Sequence, residues 1–133
     1  MKAETKHLVS ERANYRCEYC GLRQQHEPLV KFHVEHIIAQ FHGGLSELSN
    51  LALACFNCNV YKGTNLAGID PDSNHLERLF NPRLDDWQEH FEHVGARIVG
   101  KTAIGRTTVW LLEMNSDERV GLRQELLDGG EQL

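Results

Sequence analysis

The chain has 133 residues, 41% of them hydrophobic and 25% charged, the composition of a folded domain with an ordinary core. A formal net charge of −5 argues against a protein that grips nucleic acid through a broad positive field. No apolar run approaches the length of a membrane span, and the first residues lack the apolar stretch of a secretory signal. A cytoplasmic chain with no membrane contact is expected, and its thiols should stay reduced.

The charge is uneven. Residues 1–66 carry seven Lys/Arg against six Asp/Glu, whereas residues 67–133 carry seven against thirteen. Contacts with phosphate must therefore come from local groups such as Arg12, Arg16, Arg23, Lys31 and Lys62, and salt should weaken them.

In chain order, residues 6–15 read as a short helix, with Leu8, Val9, Arg12 and Ala13 at helical spacing. Cys17-Glu18-Tyr19-Cys20-Gly21 reads as a knuckle whose glycine allows the tight turn. Residues 29–39 alternate loosely and are rich in Val, Ile and Phe, which predicts a strand that bends near His36. A loop follows over 40–50, then a strand over 51–54 and a helix over 56–62 stopped by Gly63.

Beyond Asn65, residues 69–74 read as a turn and 76–80 as a strand, with Asn81-Pro82 as punctuation. Residues 90–94 and 97–99 predict a hairpin about Gly95. Ile104, Thr108, Leu111 and Leu112 mark one helix. A second begins near Asn115, with Glu118 in a capping box, and ends before Gly129-Gly130. Trp87 and Trp110 are assigned to core packing. The expected whole is α+β, with a core over 1–66 and an extension over 67–133 packed on it as one domain.

Two Cys-x-x-Cys pairs, Cys17/Cys20 and Cys55/Cys58, carry the first chemical signal. Four sulfurs on two chelating turns suit tetrahedral Zn²⁺ in a structural site with no open position. The 34 residues between the pairs exceed the usual ribbon spacing of roughly 15–20, and a strand–loop–strand insertion accounts for the excess. Disulfides, a thiol redox pair and uncoordinated cysteines are the competing readings.

Glu35, His36 and Asn59 carry the second signal. A carboxylate and an amide oxygen are hard ligands suited to Mg²⁺ or Mn²⁺. A histidine, with an ordinary pKa near 6.5, can take a proton from water at neutral pH. Adjacent residues of a regular strand face opposite sides, so Glu35 and His36 meet one substrate only where the strand bends or ends. A surface Glu-His pair and an ordinary helical Asn form the plain alternative.

The ordered set Cys17-x-x-Cys20, Phe32-His33-Val34-Glu35-His36-Ile37-Ile38, Gly43-Gly44, Asn50-Leu51-Ala52-Leu53-Ala54-Cys55 and Cys58-Asn59-x-x-Lys62-Gly63 resembles the HNH endonucleases. The likeness covers about residues 12–65. More softly, Asn81-Pro82-Arg83 through His90-Phe91, with Ile104-Gly105-Arg106, resembles the tail of small stand-alone bacterial HNH proteins.

The resemblance implies a zinc-stapled ββα-metal (His-Me finger) core with a C-terminal α+β extension. It implies a metal-dependent endonuclease that hydrolyses DNA phosphodiester bonds to a 5′-phosphate and a 3′-hydroxyl. His36 would be the general base and Asn50 the residue that holds its loop. Asn59 falls at the third motif position, making an HNN variant, and would hold one Mg²⁺ or Mn²⁺ together with Glu35. Glu35 stands where Asp is common, one methylene longer, and Ala39 where many members have proline.

Arg16, His33, His42 and Lys62 are further candidates for contact with DNA, and a homodimer or a protein partner is expected to supply specificity. The alternative of a different class is a non-catalytic, zinc-stabilised module that binds nucleic acid or protein.

Overall fold

Ten residues, Ala3–Arg12, form helix α1 at the head of the chain in the computed structural model, which describes residues 1–133. The helix lies three residues nearer the N-terminus than its apolar spacing predicts. Asn14 and Tyr15 explain the stop, because both take left-handed φ values, 54° and 56°, that no right-handed helix continues through. The chain then divides into two compact units, Met1–Leu66 with Asn81–Leu84, and Ala67–Phe80 with Asp85–Leu133.

In the first unit, strand β1 (His33–His36) pairs antiparallel with β2 (Leu51–Ala54), setting His33 against Ala54 and His36 against Leu51. β2 is buried along its whole length, as its run of apolar residues requires. Helix α2 (Phe56–Lys62) packs on both strands, and the Cys55 sulfur caps it by accepting from the Cys58 N–H. β1 is much shorter than the predicted strand over 29–39. Leu29 is 96% exposed and belongs to no sheet, and the pairing runs out after Ile37, whose N–H donates to the Asn50 carbonyl in the same register.

The segment Asn81–Leu84 joins this unit, which the sequence boundary at 66/67 does not capture. Arg83 pairs with the carboxylate of Glu18, whose other oxygen accepts the Leu53 N–H at 2.8 Å.

The second unit holds two hairpins and three helices. β3 (Ala67–Ile69) pairs with β4 (Leu76–Arg78), and β5 (Phe91–Val94) with β6 (Arg97–Gly100). Helices α3 (Trp87–His90), α4 (Ala103–Leu111) and α5 (Asp117–Asp128) complete it, with α4 lying on β3, β4 and β6. β3 is absent from the sequence reading, which assigns Ile69 to the following turn. Phe91, Ile98, Leu112 and Met114 are fully buried.

Gly105 permits the close approach of α4, since a Cβ there would lie 2.1 Å from the His90 carbonyl oxygen. Helix α5 is capped by Ser116, not Asn115. The Asn115 amide is otherwise employed, accepting from the Ile98 N–H and donating to the Ile98 carbonyl. Trp87 packs on Phe91 with ring centroids 5.1 Å apart, but Trp110 is 68% exposed, contrary to its assignment to the core.

Asp70 closes the first of these hairpins. Its buried carboxylate accepts from the Asp72 N–H, the Ser73 hydroxyl and two nitrogens of Arg106. The Arg106 hydrogen bonds hold the carboxyl well below its ordinary value of 3.8. A depressed folded pKa adds stability that is complete above the ordinary value and is withdrawn as pH falls below it. Chemical denaturation at pH 6 and pH 3 should therefore show Asp70→Asn destabilised at pH 6, with a smaller loss between the two pH values than the parent.

Candidate active site and metal centre

Four thiols close the first unit. The sulfurs of Cys17, Cys20, Cys55 and Cys58 all lie within 4.8 Å of one another, and all four residues are buried. A tetrahedral Zn–S bond of about 2.3 Å implies sulfur–sulfur edges of about 3.8 Å. Cys20 Sγ and Cys55 Sγ lie 3.7 Å apart. Backbone N–H groups of Cys20 and Cys58 point at the sulfurs of Cys17 and Cys55, both at 3.5 Å.

Burial pushes the Cys17 and Cys58 thiols well above their ordinary value, so a dication at the centre is what would keep four thiolates together. The donor set fits Zn²⁺. It is enclosed, with no open coordination position, and fits a structural role.

His36 stands at the last position of β1. Its Nε2 shares a hydrogen bond of 2.8 Å with the Ser46 hydroxyl, to which the Gln40 amide also donates at 3.5 Å. Asn50 closes the loop between them. Its Oδ1 accepts from the Ile38 N–H, and its Nδ2 donates to the carbonyls of Ile38 and Leu45, each at 2.9 Å. Gly44 is required here, since a Cβ would lie 1.7 Å from the Ile38 carbonyl oxygen. The loop is thus fixed at both ends of the turn that carries Ser46. Ser46 itself is missed by sequence reasoning, because a loop serine carries no distinguishing pattern.

Glu35 faces the other way, as strand alternation requires. It is 7% exposed, and its carboxylate accepts from the Tyr19 hydroxyl and, at 3.0 Å, from Lys62 Nζ. Lys62 is 2% exposed and also donates to the carbonyls of His36 and Ile37, at 3.2 and 2.9 Å. Burial raises the Glu35 carboxyl above its ordinary value, and Lys62 and Tyr19 pull against that rise. Tyr19 is itself pushed well above its ordinary value by burial and by the nearby carboxylate.

Lys62 is therefore not a free phosphate contact, contrary to the sequence expectation; its charge is spent inside. Asn59 lies one turn earlier on α2, half-buried, and its side-chain amide makes no hydrogen bond within the protein. Glu35 and Asn59 are hard donors and suit Mg²⁺ or Mn²⁺ chemically. Tyr19 and Lys62 occupy part, not all, of the acceptor capacity of the carboxylate.

The remaining candidates separate. Arg16 donates to the Gly21 carbonyl at 3.1 Å, which makes it a brace of the knuckle. His33 is exposed at the start of β1, its ring 6.4 Å from that of Phe56 on α2. His42 is exposed and meets Phe41 edge-on at 5.2 Å.

Residues 17–65 of this chain match the model of the HNH endonuclease family, a stretch on the α+β core that includes all four clustered cysteines. Its relatives include the Septu protein PtuB of Bacillus thuringiensis, 28% identical over 121 residues, a match that covers 90% of this chain and 44% of that protein. The chain thus spans less than half the length of this curated relative. No solved structure gives a significant match. No helix is long and apolar enough to cross a membrane.

Two outcomes follow from this geometry. Zinc should be found at about one ion per chain, and Cys58→Ser should lower both that content and the melting temperature, read by atomic absorption and calorimetry. Lys62→Met should destabilise the protein by about 3–5 kcal/mol by stranding a buried carboxylate. Adding Glu35→Gln should restore most of that loss in denaturant titration.

Proposed function

We propose that the protein is a metal-dependent endonuclease that hydrolyses DNA phosphodiester bonds with His36 as general base. The arrangement about His36 carries this reading. With Nε2–H given to Ser46, the imidazole keeps a lone pair on Nδ1, the state needed to take a proton from an attacking water. Asn50 fixes the carbonyl and N–H of Ile38, two residues beyond His36, and so limits the freedom of the base. Restricting the base in this way reduces the entropy lost on reaching the transition state.

Asn59 would hold the Mg²⁺ or Mn²⁺ together with Glu35, whose carboxylate, facing the interior, would have to share the cation with Tyr19 and Lys62. When bound, such a cation neutralises charge developing at the phosphate. Asn59 enters this role with an uncommitted amide, whereas Glu35 enters it already paired with Lys62. Lys62 favours the charged form of the carboxylate against the effect of burial and ties the end of β1 to α2. The HNH match supports nuclease chemistry in general, and the hard donors support the choice of cation.

DNA is the proposed substrate, and a protein partner or second copy would supply specificity. Half of the eight basic side chains of the first unit, Lys62 among them, make bonds within the protein. Arg12 donates to the carbonyls of Leu48 and Leu51, Arg16 to Gly21, and Arg83 pairs with Glu18.

Nicking of supercoiled plasmid at low salt, with Mg²⁺, Mn²⁺ or EDTA, tests the reading beside His36→Ala. Cleavage should require the divalent ion and fall by about 10²–10⁴-fold in the folded, zinc-loaded variant. Equal cleavage by parent and variant would overturn the assignment of the base.

A further inference from the structure

Phe41 is 82% exposed on a short 3₁₀ turn, Gln40–His42, in the loop that follows β1 and His36. An exposed phenyl ring on a surface turn stabilises nothing in the fold. This turn is nevertheless held firmly. The His42 and Gly44 N–H groups donate to the Ala39 carbonyl at 2.9 and 3.0 Å, and Gly43 N–H donates to Gln40 at 2.9 Å. Gln40, next to Phe41, bonds the same Ser46 hydroxyl that holds His36 Nε2. His42 backs the phenyl ring edge-on, with ring planes 78° apart. The molecule thus presents a firmly held aromatic ring whose chain neighbour, Gln40, is linked through the Ser46 hydroxyl to His36.

We infer that Phe41 is a base-stacking contact that directs the His36 site to DNA carrying an unpaired nucleotide beside the scissile phosphate. The inference rests on the nuclease reading and names its substrate class. Charge favours it. With Arg12, Arg16, Lys62 and Arg83 committed, Lys2, Lys6, Arg23 and Lys31 are the bases left to the first unit. Attraction to phosphate is therefore weak, and a regular duplex offers little else to bind. Stacking of a base on an aromatic ring needs no net charge and resists salt. It requires a base free of its own stack, which a bulge, gap, flap or single strand supplies and a perfect duplex does not.

The test is fluorescence anisotropy without added divalent ion, on three DNAs of one sequence: perfect duplex, duplex with one unpaired nucleotide, and single strand. The parent should bind the last two about ten- to a hundredfold more tightly than the perfect duplex. Phe41→Ala should abolish that preference while leaving perfect-duplex affinity within about twofold. Phe41→Trp should retain it and quench 2-aminopurine placed at the unpaired position. The ring is exposed and its one aromatic contact is the edge of His42, so its truncation removes little packing, and zinc content checks the fold.

No preference in the parent, or a preference that survives Phe41→Ala, overturns the inference; survival would leave the turn to a protein contact instead. Cleavage of the same DNAs is scored separately. A Phe41-dependent preference without hydrolysis by the parent would keep the stacking role and reject the nuclease reading.

Discussion

Four buried thiols organise the first unit. They join the knuckle after α1 to the N-terminus of α2, and between those two points lie the β1–β2 hairpin and the loop that carries Ser46. A hairpin of two four-residue strands is too short to be stable alone. A few buried apolar residues, Val9, Phe32, Leu51 and Leu53 among them, add a small core. A metal bound at these four thiols would supply what a core of this size lacks, because its binding energy would enter the folding equilibrium directly. It also fixes the rotation of α2 about its axis, and with it the direction in which Asn59 and Lys62 point.

That direction matters because β1 sorts its side chains by parity. His36 goes to the exposed side, against Ser46, and Glu35 goes to the interior, against Tyr19 and Lys62. A buried carboxylate alone would be protonated or would not be tolerated. The Lys62 ammonium makes it acceptable and uses its other donors on the carbonyls of His36 and Ile37. One cation thus balances an interior charge and secures the backbone at the point where the strand gives way to the loop. A salt bridge of this kind contributes little net stability against an apolar replacement, and its value lies in geometry.

Much of the first unit is legible in the sequence because its signals are local. The Cys-x-x-Cys turns, the apolar run over Leu51–Ala54 and the Gly63 stop are short-range patterns that tertiary contacts do not override. The four cysteines converge on one cluster, as two Cys-x-x-Cys pairs predict, although the long gap between the pairs is not itself diagnostic. The second unit is less legible. β3 is a three-residue strand defined only by its partner, and the capping role expected of Asn115 passes to Ser116 because Asn115 is drawn to Ile98. Lys62 is misread for the same reason. A lysine at a helix end is normally solvated, and only the position of Glu35 across the interface takes it inside.

Charge is where composition misleads most. The second unit looks rich in arginine, yet Arg106 is tied to Asp70, Arg78 to Asp85, and Arg119 and Arg123 are buried against backbone carbonyls. The first unit spends Arg12, Arg16, Lys62 and Arg83 in the same manner. Guanidinium groups serve here as multivalent donors that satisfy loop and helix-end carbonyls, a task for which their fixed fork suits them. A protein so built gains little from long-range attraction to phosphate. Any grip on a polyanion would have to come from short-range contacts, where an oriented imidazole, an uncommitted amide and an exposed aromatic ring lie on elements that the cysteine cluster and the Asn50 clip hold in place.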